Sequence, residues 1–159
     1  MTKIISAFPA CGKTYIYENQ KDFGITVADS DSSSFSWIEV HGKKERNPDF
    51  PNNYIEHIKS LIGKVDYILV SSHDDVRDAL DENSLPYIFV KPDFNLREEW
   101  IGRCWIRGND EGFLTLVKNN WSAWVLPNDY RLMCKGFATL RSGEYLKDRL
   151  HWFETFSGV

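Results

Sequence analysis

Gly12, Lys13 and Thr14 stand together in the stretch AFPACGKTY, with Ala7 five residues ahead of Gly12. The spacing is that of G-x-x-x-x-G-K-[ST], a phosphate-cradling loop, with Ala in place of the first Gly. Each part has a chemical reason. A glycine lets the backbone approach phosphate oxygens closely, and the N–H groups at the start of the following helix supply positive potential. The segment Ala10, Cys11, Gly12, Lys13, Thr14 and Tyr15 would therefore surround a nucleotide's phosphates. Lys13 would reach the β- and γ-phosphates of ATP, and the Thr14 hydroxyl would serve Mg²⁺. A plain turn into a helix is the alternative.

Further chemistry-bearing residues lie downstream. Asp29 and Asp31, in ADSDSSS, fall at the end of an apolar run, where either could support the metal or the acceptor. Leu96, Trp100, Arg103 and Arg107 step by four, three and four, which is one stripe on a helix, apolar first and cationic after. Arg103 and Arg107 are expected to neutralise a phosphoryl group in transfer. A salt bridge from Glu99 to Arg103 is the competing use. Arg77 and Arg46 are candidates for holding an acceptor, against pairing of Arg77 with Asp74 or Asp81 and a solvated Arg46.

The elements that must position these residues alternate. KIISAF, ITVAD (25–29), DYILVSS (66–72) and YIFVKP (87–92) are apolar runs suited to buried parallel strands, and YRLMC (130–134) is a weaker fifth. Helices are expected after GKT and over NNYIEHIKSLIG, SHDDVRDALDE, NLREEWIGRCWIRG, EGFLTLVKNNWSAWV and GEYLKDRLHWFETF. Ser72 with Asp75, and Asn95 with Glu98, have capping-box spacing. The pattern predicts α/β architecture: three layers, α/β/α, around a mostly parallel five-stranded sheet.

The chain has 159 residues, enough for one domain with a core of its own. Its formal charge of -4 gives no global case for nucleic acid. No apolar run is long enough to cross a bilayer. Three cysteines without metal-site spacing read as reduced thiols in a cytoplasmic protein.

Taken together, AFPACGKTY, the DSD turn, RNPDFPNNYIEHI, YILVSSHDDVRDAL and REEWIGRCWIRGND resemble the P-loop nucleoside and nucleotide monophosphate kinases, above all small forms encoded by bacteriophages and prophages. The resemblance runs to about Trp124. It implies ATP and Mg²⁺ as cofactors, with Thr14 and Asp29 serving the metal. It also implies a nucleoside monophosphate as substrate and the cytoplasm, the host's for a phage-borne chain, as the compartment. An acceptor-binding segment over about 32–64 and a lid over about 95–110 follow from it, within a single domain that acts as a monomer or homodimer. Arg46, Trp37 and Phe35 would lie near the acceptor, with Asp31. Arg77 matches the arginine that follows the third strand and holds the acceptor phosphate. Ser71 and Ser72 stand where many relatives carry Asp, and no cysteine cluster marks the lid. Two other readings stay open. One is a kinase acting on a small-molecule or nucleic-acid hydroxyl, with Asp31 as base. The other is a nucleotide-binding regulator, although no N-K-x-D base-reading motif is present.

Overall fold

The computed structural model describes residues 1–126 and 131–159. Five strands form one parallel sheet: β1 (Lys3–Ala7), β2 (Val27–Asp29), β5 (Tyr67–Ser71), β6 (Tyr87–Pro92) and β7 (Cys134–Leu140). Two more, β3 (Trp37–Val40) and β4 (Lys43–Arg46), make a separate antiparallel hairpin. The sheet order is β2-β5-β1-β6-β7, so β1 is central. The apolar runs that define these strands are buried on both faces, and alternate residues serve two cores.

On one face Ile5, Leu69, Ile88 and Val90 meet Ile16 of α1 (Lys13–Glu18), Trp100 of α5 (Arg97–Ile106) and Val117, Trp121 and Val125 of α6 (Glu111–Val125). On the other, Ile4, Ile68, Val70 and Phe89 meet Tyr54, Ile55 and Ile58 of α3 (Asn52–Leu61) and Val76 and Leu80 of α4 (Asp74–Glu82). The result is three layers, α/β/α. No helix among the described residues is long and apolar enough to cross a membrane.

Four local expectations change. The last strand begins at Cys134, where the sequence pattern would end it, and Tyr130 lies outside the described residues. Arg131 explains the shift: its buried guanidinium pairs with Asp78 at 2.7 Å and Asp74 at 3.3 Å, and the chain turns there before pairing begins. Gly136 sits inside the strand because the Phe156 ring would lie 2.7 Å from any Cβ at that position. At the head of α4, His73 is the N-cap, without a side-chain cap, and Ser72 instead gives its carbonyl to Arg77. Before α5, Asp93 rather than Asn95 caps, accepting the Asn95 N–H. The C-terminal segment forms a short 3₁₀ turn (Leu146–Arg149) and α7 (Leu150–Phe153) in place of one long helix.

The β3–β4 hairpin has no counterpart in the sequence pattern. Its turn is His41-Gly42, both at positive φ (51° and 75°), the geometry of a tight two-residue hairpin. Both strands are largely exposed, so no buried face writes an alternating pattern into them.

Candidate functional site

β1 delivers the chain to the sheet's carboxyl edge, and Phe8 continues the ladder by donating to the Val90 carbonyl at 2.9 Å. The backbone then turns back into α1 through Ala10 (φ 61°) and Gly12 (φ 92°). A side chain at Gly12 would be strained by that φ and would also meet the Tyr145 ring at 3.1 Å. Three successive carbonyls of this loop are taken from outside it. Trp100 Nε1 donates to Pro9 O at 3.1 Å, Arg103 Nη1 to Ala10 O at 3.4 Å, and the Leu146 N–H to Cys11 O at 2.9 Å. Among the described residues no protein acceptor takes the N–H groups of Ala10, Cys11, Gly12, Lys13 or Thr14. The Lys13 ammonium folds back over the loop and donates to Ala7 O at 3.3 Å. This is a concave set of donors around one cation, able to hold an anion with several oxygens.

Lys13 is half-buried, and desolvation pulls its pKa below the ordinary lysine range, with Arg107 adding to the effect and Asp29 and Asp31 opposing it. Asp29, at the end of β2, moves the other way. Burial raises its carboxyl above the usual range, while Lys13 and the adjacent Thr14 hydroxyl hold it down. Thr14 and Asp29 thus come together beside Lys13. A hydroxyl and a carboxylate on one edge are suitable oxygen donors for Mg²⁺ shared with phosphates. The end of β5 carries no acid: Ser71 Oγ is 2.6 Å from Ser32 Oγ, and its carbonyl accepts from Ser6 Oγ at 2.9 Å. Cys11 is buried, and its thiol is pushed up to about 12 by desolvation, so it contributes backbone rather than thiolate. Tyr15 is half exposed, edge-on to Phe23 with ring centroids 6.3 Å apart.

The loop lines a cavity of about 290 Å³ together with Arg103, Ile106, Arg107 and Tyr145. The two arginines differ sharply within it. The Arg103 guanidinium lies 3.8 Å from the Trp100 ring and 4.0 Å from the Tyr145 ring, bonds Glu144 O at 2.8 Å, and pairs with Glu99 at 3.0 Å. The expected Glu99 pair is therefore present, as part of a larger clamp. Arg107, at the end of α5, is exposed and gives its Nε to Asn109 Oδ1 at 2.6 Å.

Asp31, Trp37, Arg46 and Arg77 all line a second cavity, of about 570 Å³. Trp37 and Arg46 are cross-strand partners in the hairpin, which sets the guanidinium 5.3 Å from the indole and 5.0 Å from the Phe50 ring. Arg46 also pairs with Asp75 at 3.0 Å. Arg77 is buried over the Phe89 ring at 4.4 Å and pairs with Asp74 at 2.8 Å. Asp31 turns its own Oδ1 to the Ser33 N–H at 2.9 Å. Phe113 and Trp124 of α6 also line the cavity. Phe35 does not line this cavity; it packs on Tyr54 and His57.

The sequence pattern did not single out Trp100 as a hydrogen-bond donor, nor Tyr145, Phe113 and Trp124. Trp100 shares a stripe with Arg103, which was a usable signal. Tyr145 reaches the loop from far along the chain and leaves none.

No family model matches the chain, and no curated protein matches it. Among solved structures, an uncharacterized protein from Eubacterium ventriosum is similar over 97% of each chain, with a TM-score of 0.47 and 12% identity.

Proposed function

We propose that this chain is an ATP-dependent phosphotransferase of the P-loop nucleotide kinase kind, moving the ATP γ-phosphoryl group to a (deoxy)nucleoside monophosphate. The observation that carries the proposal is a pair of cavities that meet along one loop, Pro9 lining the larger and Ala10 to Thr14 the smaller. One is walled by the N–H-rich loop; the other holds two arginines and a set of aromatic rings. Asp31 lines the second and acts electrostatically on Lys13, which lines the first.

In this reading the loop N–H groups and Lys13 hold the donor's β- and γ-phosphates. Arg107 approaches the transferring group from the tip of α5. Arg46 and Arg77 orient the acceptor phosphate, whose oxygen is already nucleophilic at neutral pH, so alignment and charge neutralisation suffice. Thr14 and Asp29 would hold Mg²⁺, which would supply positive charge to offset that of the phosphates.

A second reading has its own observation. The larger cavity holds three aspartates, Asp31, Asp74 and Asp75, and both of its arginines are ion-paired to two of them. A neutral acceptor hydroxyl, deprotonated by Asp31, suits that charge balance. A coupled ADP-release assay with ATP, Mg²⁺ and a panel of ribo- and deoxynucleoside monophosphates, against nucleosides and an acceptor-free control, separates the two. ADP and diphosphate product with particular monophosphates are expected. Turnover with nucleosides alone would give the hydroxyl reading, and equal ADP in every well would leave only an NTPase.

A further inference from the structure

We infer that Trp100 and Arg103 are positioning residues for the donor site: they hold the phosphate loop in shape for its ligand by taking up its carbonyls and leaving its N–H groups free. The inference rests on the nucleotide reading of that loop. In a planar trans peptide the C=O and the following N–H point in opposite directions. Drawing the carbonyls of Pro9, Ala10 and Cys11 toward α5 and the turn after β7 therefore turns the N–H groups of Ala10, Cys11 and Gly12 away from those partners. Two of the three pulls come from one helix, α5, and the third from the Leu146 N–H after β7.

The construction around Arg103 is that of a clamp. Its guanidinium is sandwiched between Trp100 and Tyr145. One nitrogen serves Ala10 O and Glu144 O, and the other faces Glu99. Glu99 in turn accepts from Ser142 Oγ at 2.5 Å and from the Gly143 N–H at 3.2 Å. The turn after β7 and the phosphate loop are thus joined through one planar cation, three of whose five N–H donors are committed to these contacts. Arg107, four residues on and exposed, is left to face a transferring phosphoryl group. A lysine cannot replace Arg103, because an ammonium has neither the flat faces for two rings nor the fork for two carbonyls and a carboxylate.

The test uses the full chain and three variants, Arg103→Ala, Arg103→Lys and Trp100→Phe. The last removes one N–H donor while keeping a ring, so it reports even where Arg103→Ala fails to fold. ATP affinity is measured by calorimetry, kcat and the KM for ATP in the ADP-release assay, and backbone order parameters of Ala10, Cys11 and Gly12 by NMR. Loss of a charge-assisted hydrogen bond predicts ATP binding weaker by roughly tenfold or more in both Arg103 variants and severalfold in Trp100→Phe. The order parameters should fall in all three, and the KM for ATP should rise by a larger factor than kcat falls. Unchanged ATP affinity with collapsed turnover would make Arg103 a catalytic residue and overturn the inference. So would unchanged loop order, or full rescue by lysine. A wild-type chain that binds no ATP would overturn the nucleotide reading, and with it the purpose assigned to the clamp. Normal ATP binding with a rigid loop in Arg103→Ala would overturn the clamp alone.

Discussion

Lys13 and Asp29 carry opposite charges into surroundings that resist both. Desolvation lowers the first pKa and raises the second, and each partly relieves the other. Such a pair stabilises the fold weakly at best, which points to a ligand-facing role. The sign of the pH effect follows from Asp29. Its folded pKa lies above the ordinary aspartate value of 3.8, so in the window between the two the folded state holds more protons than the unfolded. Stability conferred by this group is therefore full below the window and lost as pH rises through it. The wild-type chain should gain stability relative to Asp29→Asn as pH falls from neutral toward about 4. Thermal denaturation of both across that range checks this, and parallel curves would contradict the burial assigned to Asp29. The sequence displays Lys13, Thr14 and Asp29 through motif spacing and position at a strand end. It hides the clamp on Arg103, because Glu144 and Tyr145 are forty residues or more away along the chain and meet Arg103 only once the sheet has formed.

The β3–β4 hairpin shows what sequence periodicity leaves out at the scale of an element. Strands β1, β5 and β6 announce themselves because both faces are buried; an exposed hairpin need satisfy only its own backbone and a His-Gly turn. Yet the hairpin brings Trp37 and Arg46 to the larger cavity. Arg46 is tied there to Asp75, in the first turn of α4. Both side chains are roughly half exposed, at 53% and 44%, so the pair adds no more than about 1 kcal/mol to stability. Asp75 thus competes with any acceptor phosphate for the same guanidinium. Asp75→Asn should leave the melting temperature almost unchanged and lower the KM for a monophosphate acceptor severalfold, because no internal carboxylate has to be displaced. Steady-state kinetics with the acceptor varied tests it. A KM that does not move would separate Arg46 from the acceptor phosphate and favour the hydroxyl reading.

Across the whole molecule, the strand order decides what lies next to what. The sequence gives five apolar runs, but not that β5 slots between β2 and β1, since pairing of distant strands leaves no local trace. That order sets Asp29, Asp31 and the seryl end of β5 beside the loop that follows β1, where Pro9 lines the larger cavity and Ala10 to Thr14 line the smaller. If both cavities bind phosphates directed at Lys13, one molecule should fill them together. A dinucleoside polyphosphate, with a nucleoside at each end of a phosphate chain, avoids the entropic cost of collecting two ligands and should bind more tightly than ATP or the monophosphate alone. Its effect on melting temperature should accordingly exceed that of ATP and monophosphate added together at the same concentrations. The excess should shrink in Lys13→Ala, which removes the cation of the loop cavity, and in Arg46→Ala, which removes only the acceptor end. A compound that stabilises no more than ATP in the wild-type chain would mean that the two cavities do not act on one pair of reacting phosphates, and the acceptor would then have to be sought among smaller, unphosphorylated molecules.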